Sequence, residues 1–170
     1  MIRFTTAARA SIALAVAAFT LLAGRVGAQP PAQPPDQKAA IAVAYAALAA
    51  ITRGDVIALT DLMVPEAVLF PTVTRDGATT YRARTREAQR AGSFNGIVER
   101  GFQPQALVNG GIAMVWMPYD LYVNGAWSHC GVDVFTLLAH EGRWRIASMA
   151  WSAEQPPVCE RHPDGPPATR

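Results

Sequence analysis

Three short turns rich in asparagine and glycine divide the C-terminal half of the chain into segments of similar length. They are Asn109-Gly110-Gly111, Asn124-Gly125 and Glu141-Gly142. Such pairs adopt the left-handed backbone that tight β-hairpins need, so each turn predicts two antiparallel strands. The strands predicted in this way are residues 97–108, 112–123, 127–139 and 143–153.

Helical patterns precede these strands. Asp36 predicts the N-cap of a first helix, whose face at helical spacing carries Ile41, Tyr45, Leu48 and Ile51. Gly54 ends this helix. A second, short helix is expected to be capped by Asp55 and to run through Met63, before Pro65 stops it, and residues 82–91 are expected to form a third. Helices followed by an antiparallel meander predict an α+β domain with the helices on one face of the sheet.

Between the helices, residues 68–72 are expected to form a strand, and Asp76-Gly77 is expected to turn the chain into a second short one. At 170 residues, of which 51% are hydrophobic, the chain is long enough for one domain with its own core.

The N-terminus has the features of a secretory signal peptide, predicted to be cleaved after Ala28. Arg3 and Arg9 precede an apolar stretch over 10–23, and small residues lie at the cleavage position. The stretch is too short to span a bilayer. A buried N-terminal helix is the alternative. Proline-rich segments at 29–35 and 155–170 then bound a folded domain over 36–154. The export signal predicts a periplasmic or secreted protein.

Cleavage would remove three arginines and no acid, which changes the formal net charge from +2 to −1. A nearly neutral domain offers no electrostatic reason to expect nucleic acid or an anionic membrane as a partner. No metal site or cofactor is predicted, because His129, His140 and His162 lack ligand spacing and neither a phosphate-binding glycine loop nor a nucleophile elbow occurs.

A two-residue loop at 124–125 sets the pairing of the strands on either side. In that pairing Asp120 lies opposite His129, and Trp116 lies opposite Asp133. Side chains two residues apart share a face, so His129 and Asp133 point the same way. A carboxylate beside an imidazole in apolar surroundings suits proton transfer, which makes Asp120, His129 and Asp133 candidate catalytic residues. The alternative is a structural role, such as a cross-strand ion pair.

The same face is predicted to carry the lining of a ligand pocket, although the tryptophans could instead belong to the core. These candidates are Trp116, Phe135, Trp144 and Ser148, beside Ile146. The opposite face is also apolar, which predicts that helices cover one face and a second subunit the other. Its residues are Val132, Val134, Leu138, Met149 and Trp151.

Three C-terminal segments carry a resemblance to a known family. They are 117–125 (MPYDLYVNG), 128–133 (SHCGVD) and 144–148 (WRIAS). They resemble the bacterial nuclear-transport-factor-two-like proteins, within these the SnoaL-like and lumazine-binding groups. The resemblance implies a cone in which a strongly bent antiparallel sheet and three N-terminal helices enclose a pocket. Its relatives include isomerases, dehydratases, cyclases and non-enzymatic binding proteins, so the fold does not fix the function.

Cys130 and Cys159 both lie in the part predicted to be exported, where oxidation is normal. A bridge between them would tie the proline-rich tail to the third strand of the meander. Two free thiols, with Cys130 buried, are the alternative.

Three functions remain open from the sequence. The first is binding of a small hydrophobic molecule, expected to be cyclic. The second is a cofactor-free isomerase, dehydratase or cyclase in which Asp120 or Asp133 is the base and His129 the acid. The third is a non-catalytic dimerisation module, and a homodimer is expected in each case.

Overall fold

A computed structural model describes residues 36–168 of the chain. The predicted signal peptide at 1–28 and the linker at 29–35 lie outside the described residues. Residues 36–168 contain no helix long and apolar enough to cross a bilayer.

The described part of the chain has three helices, as predicted. Helix α1 is Gln37–Thr52, α2 is Val56–Asp61 and α3 is Arg86–Arg90. Asp36 caps α1 by accepting a hydrogen bond of 2.8 Å from the Ala39 amide, and Asp55 caps α2 in the same way. Helix α3 is shorter than the predicted 82–91, because strand β3 (Arg84–Thr85) takes up the residues before it.

Helix α1 packs on the sheet through alanines. The predicted face included Tyr45, but this side chain is 41% exposed, whereas Ala40, Ala44 and Ala47 are completely buried beside Leu48. Small side chains let the helix axis approach the sheet closely, and this close approach selects the alanine stripe over the larger tyrosine.

The other strands are β1 Met63–Arg75, β2 Ala78–Tyr81, β4 Ile97–Gly101, β5 Gln105–Asn109, β6 Ile112–Val123, β7 Ala126–His140 and β8 Arg143–Trp151. The strands form one curled sheet in the order β2-β1-β8-β7-β6-β4, with β3 paired to β1 and β5 to β6. All pairs are antiparallel except β1 with β8, which are parallel.

The strand predicted over 97–108 is two strands, β4 and β5, which pair with successive parts of β6. Between them Gln103 has a φ of 45° and Pro104 has no amide hydrogen, so the chain cannot continue one ladder there. The break divides the partners of β6 and lets the sheet curl around α1.

The hairpin of β6 and β7 contains a bulge that the sequence did not reveal. Tyr122 lies opposite Trp127, but Leu121 lies opposite His129, so Ser128 is an extra residue without a partner. Beyond the bulge Asp120 lies opposite Cys130, and the predicted pairing with His129 is wrong by one residue. Because side chains alternate, this shift places Asp120 on the outer face and His129 on the inner, helix-covered face.

The pairing of β7 with β8 has a second irregularity, between Thr136 and Leu137. Thr136 lies opposite Ser148 and Leu137 opposite Ile146, so the side chains of β8 change face at this point. Ile146 therefore lies on the inner face, but Ser148 and Ala150 lie on the outer one, contrary to the prediction that all three share a face. Conversely Met149 and Trp151, predicted for the opposite face, lie on the inner face with Phe135.

Residues 152–168 contain no helix or strand, and they are fastened to the outer face. A disulfide joins Cys159 to Cys130 on β7, confirming the predicted bridge. The Gln155 side chain donates to the Ser128 carbonyl oxygen (2.6 Å), and the Arg161 guanidinium stacks on Trp127 at 4.0 Å. The tail therefore holds the bulge of β7 in place.

Candidate functional site

A cavity of about 240 Å³ lies between the helices and the inner face of the sheet. Most of its walls are apolar, with charged or polar groups at a few positions. Residues that line it are Ile51, Leu59, Leu69, Arg84, Gln89, Ser93, Phe94, Ile97, Glu99, Leu121, His129, Met149 and Trp151. Enclosed apolar pockets with a few converging polar groups are the usual form of small-molecule sites.

Glu99 on β4 is the acidic side chain in the wall of this cavity. Its backbone is fixed by Thr52 at the end of α1, whose hydroxyl accepts from the Glu99 amide and donates to the Glu99 carbonyl oxygen, both at 3.0 Å. The residue is only 8% exposed, and burial raises the pKa of its carboxyl to about 8. The carboxyl therefore carries its proton through most of the neutral range.

The sequence pattern alone did not indicate Glu99. The available signal was one acid two residues after Ile97, in a short strand that also carries Arg100, and such an acid also fits a solvent-facing position at a sheet edge. Only the position of α1 over β4 shows that this face is the buried one.

Asp133 on β7 is a second buried acid on the inner face, between Met117 and Trp151 on the neighbouring strands. Its side chain is completely buried, and neither carboxyl oxygen has a hydrogen-bond partner among residues 36–168. Burial raises the pKa of Asp133, and the charge of Glu99 raises it further. The two carboxyls are therefore close enough to titrate as an interacting pair.

Tyr119 on β6 lies in the sheet between these two acids. It pairs with Gly101, two residues from Glu99, and with Gly131, two residues from Asp133. Its hydroxyl donates to the Ser152 carbonyl oxygen at 2.7 Å. Burial and the charges of Asp133 and Glu99 raise the pKa of Tyr119, so the phenol stays protonated. Its single hydrogen is used in the hydrogen bond to the Ser152 carbonyl oxygen.

His129 follows the bulge on β7 and lines the cavity opposite Leu121. Its Nδ1 atom is 2.9 Å from the Ser128 hydroxyl, and its ring meets the Tyr119 ring edge to face at 5.8 Å between centroids. Burial lowers its pKa, so the imidazole is neutral at pH 7. Glu99 and His129 thus present a protonated acid and a neutral base to one cavity.

The cavity wall also carries Arg84 on β3 and Gln89 on α3. The Arg84 guanidinium donates to the Gln89 side-chain oxygen at 2.7 Å, and Gln89 is almost completely buried. Among the described residues, Arg84 is the one cationic side chain that lines the cavity.

The structure separates the three predicted catalytic residues. His129 and Asp133 share the inner face, but Asp120 lies on the outer face, where Arg100 donates to both of its oxygens at 2.9 and 2.6 Å. The cause is the extra residue at Ser128, which shifts β7 by one position against β6.

The predicted lining residues are separated as well. Trp116 is 45% exposed on the outer face, and Ser148 also lies on that face. Phe135 and Trp144 are buried in the core, where the Trp144 indole donates to the Asp36 carbonyl oxygen at 3.1 Å. None of the four is among the lining residues; the tryptophan that lines the cavity is Trp151.

No group of three or more histidine, cysteine, aspartate or glutamate residues able to hold a metal ion occurs within residues 36–168.

Neither the protein-family models nor the curated proteins contain a match to this chain. Solved structures do match it. A protein of unknown function with a cystatin-like fold from Nostoc punctiforme is 10% identical, with a TM-score of 0.58 over 72% of this chain and 95% of that one. A nuclear-transport-factor-two-like protein with a cystatin-like fold from Novosphingobium aromaticivorans is 16% identical, with a TM-score of 0.56 over 69% and 81%.

A third structure, a nuclear-transport-factor-two-like protein of unknown function from Pseudomonas putida, is 12% identical, with a TM-score of 0.54 over 75% of this chain and 94% of that one. A curled sheet wrapped around helices defines an α+β cone with an internal cavity. The fold is the nuclear-transport-factor-two-like fold, which confirms the prediction; at these identities the likeness establishes the fold alone.

Proposed function

We propose that this protein binds a small cyclic molecule in the cavity between its helices and its sheet. The observation that carries the proposal is the position of Glu99, a buried carboxyl in the wall of an otherwise mainly apolar cavity. A buried carboxyl without an ion-pair partner costs stability, and such costs concentrate at functional sites. Glu99 takes part in none of the ion pairs among the described residues.

The volume of the cavity limits the ligand. A dry cavity of roughly 150 Å³ holds benzene, and this cavity measures about 240 Å³. The cavity is partly open, and its volume accommodates one substituted ring or two fused rings as the buried part of a ligand. Phe94 and Trp151 in the walls offer aromatic surfaces against which a ring can pack.

The test compares ligand binding by the wild type with binding by a variant in which a large side chain closes the entrance of the cavity. Ser93 lines the cavity and is exposed, so Ser93→Trp should close the entrance, whereas Thr79→Trp on the exposed strand β2 is the control. Native mass spectrometry and thermal shift with one- and two-ring compounds should show binding to the wild type and to Thr79→Trp but not to Ser93→Trp. Binding of no ring compound by the wild type, or unchanged binding by Ser93→Trp, would overturn the proposal.

A second candidate function is cofactor-free proton transfer. It is favoured by the pairing of Glu99, whose pKa is about 8, with a neutral His129 in one cavity. The base would take a proton from a carbon beside a carbonyl group, and the protonated acid would return one. Nuclear magnetic resonance of a cyclic ketone in D₂O would show catalysed deuterium exchange that Glu99→Gln or His129→Ala slows by about 10²–10⁴. Exchange at the buffer rate would eliminate this candidate.

We also propose a homodimer formed through the outer face of the sheet. Neighbouring strands there expose apolar side chains that a second copy would cover: Leu107, Ile112, Met114, Trp116 and Leu138. Light scattering should give a dimer for the wild type and a monomer for Trp116→Glu. A monomeric wild type would remove this part of the proposal, and with it the dimerisation-module hypothesis.

Export is the remaining part of the proposal. The disulfide indicates an oxidising compartment, which supports a periplasmic or secreted protein whose signal peptide is removed after Ala28. Nucleic acid and membrane surfaces are not proposed as partners, in keeping with the nearly neutral charge after cleavage. Intact mass measured on protein recovered from a bacterial periplasm would show both the cleavage position and the bridge.

A further inference from the structure

The two inner acids, Glu99 and Asp133, have no cationic partner in the described part of the chain. Arg100, the nearest arginine in sequence to Glu99, points to the outer face and binds Asp120. Arg84 lines the same cavity as Glu99, but its guanidinium is hydrogen-bonded to Gln89. A cationic group of a ligand in the cavity would therefore meet Glu99 without competition from an ion pair of the described residues.

The phenol that lies between the two acids is also engaged. Tyr119, which lies between them in the sheet, gives its hydroxyl hydrogen to the Ser152 carbonyl oxygen. Asp133 accepts nothing from residues 36–168, although it is completely buried. Unpaired buried carboxyl oxygens are rare in folded proteins, and Asp133 itself is not among the residues that line the cavity.

The titratable and charged groups on the surrounding elements are Glu99 on β4, Tyr119 on β6, His129 and Asp133 on β7, Arg84 on β3 and, after β8, Glu154. Acids outnumber cations in this set, and burial keeps His129 neutral. Phe94 and Trp151 add aromatic walls, which attract cations over their ring faces.

We propose that the natural ligand is a small ring compound carrying a basic nitrogen, whose N–H groups donate to the Glu99 carboxylate in the cavity wall. This proposal rests on the proposed function, because it specifies the ligand of the same cavity. A carbonyl ligand would require the opposite arrangement, with a protonated Glu99 as the donor. The two classes therefore differ in how binding responds to pH.

The experiment uses three one-ring probes of matched shape, namely benzamidine, benzamide and benzoate, whose charges are positive, neutral and negative. At pH 8.5, calorimetry on the full-length mature protein should show benzamidine binding at least about tenfold tighter than benzamide, as expected for charge-assisted hydrogen bonds. Benzoate should bind weakest. Benzamidine binding should release protons and weaken by up to about tenfold for each pH unit below 8.

Two variants assign the preference to the cavity. Glu99→Gln keeps the shape of the side chain and should reduce benzamidine affinity by about tenfold or more while leaving benzamide within about threefold. Glu66→Gln, on the exposed part of β1, is the matched control and should change neither. Circular dichroism confirms that each variant folds.

The outcomes separate the two proposals. If benzamide or benzoate binds as well as benzamidine, or if Glu99→Gln leaves the preference unchanged, the basic-nitrogen ligand is wrong and the binding function stands. If none of the three probes binds to the folded wild type and no uncharged ring compound binds either, both proposals are wrong.

Discussion

Arg100 and Asp120 form a two-pronged ion pair on the outer face of the sheet. The Nε atom of Arg100 lies 2.9 Å from Oδ1 and its Nη2 atom 2.6 Å from Oδ2 of Asp120, whose side chain is completely buried. The backbone amide of His162 in the tail donates to the same carboxylate at 3.1 Å. One acid thus joins β4, β6 and the tail.

Replacing Asp120 should therefore destabilise the protein strongly. Asp120→Ala leaves a mostly buried guanidinium and a tail amide without their acceptor, so we expect a loss of about 3 kcal/mol in the free energy of unfolding, measured by urea denaturation. Asp61→Ala is the matched control, because Asp61 pairs with Arg90 at an exposed position and should cost less than about 1 kcal/mol. Equal losses in the two variants would show that burial does not decide the strength of these pairs.

The disulfide should stabilise the folded state through the loop it closes. Cys130 and Cys159 are 29 residues apart, and a loop of this length contributes about 3–4 kcal/mol in the chain-entropy model. The double variant Cys130→Ala, Cys159→Ser should lose about this much in urea denaturation. Reductant should lower the stability of the wild type to a similar value and leave the variant unchanged; an effect of reductant on the variant would contradict this account.

Stability should fall as the pH rises from about 4.5 to 8 because of Glu99. Its carboxyl has a pKa of about 8 when folded and the ordinary value near 4.5 when unfolded, so within this window the folded state holds a proton that the unfolded state has released. The slope contributed by this residue is up to about 1.4 kcal/mol per pH unit, and it ends above pH 8, where both states are ionised.

Glu99→Gln isolates this contribution. The difference in unfolding free energy between wild type and variant should grow from pH 5 to pH 8, with the variant the more stable at the upper end. Asp133→Asn should act in the same direction, because burial raises that pKa as well. A constant difference across the pH range would mean that Glu99 ionises normally in the folded protein.

Gly131 should not tolerate a methyl group. A Cβ atom at this position would lie 2.1 Å from the Ser152 carbonyl oxygen, which is the acceptor of the Tyr119 hydroxyl. Gly131→Ala should therefore cost about 3 kcal/mol of stability through forced backbone movement. At Gly111 the nearest atom would be 3.9 Å away, so Gly111→Ala is the control and should be nearly neutral in thermal denaturation. Similar melting temperatures for the two variants would contradict the close contact.

Local chemistry in the sequence was sufficient for the helix caps and the hairpin turns. Asp36 and Asp55 cap helices because their side chains accept amide hydrogens within one turn, and the turn at Asn124-Gly125 follows from the left-handed backbone of both residues. These features depend on neighbours in the chain, which a sequence displays directly.

The site depended on contacts that a sequence does not display. The extra residue at Ser128 is held by Gln155, which is distant in the chain, and it decides which face carries His129. The importance of Glu99 depends on α1 covering β4. The face of each strand was therefore predictable only up to the first irregularity in its pairing.

Ser128 has no opposite residue on β6, so β7 contains one residue more than the ladder of this hairpin needs. Deleting it would join Trp127 directly to His129 and leave Leu121 opposite His129, so the inner surface would survive as a regular ladder. A deletion anywhere from 131 to 135 would instead exchange every interior side chain on one side of the gap with an exterior one. A change in length of a single residue thus preserves the two faces of β7 at the bulge but exchanges them a few positions later in the same strand.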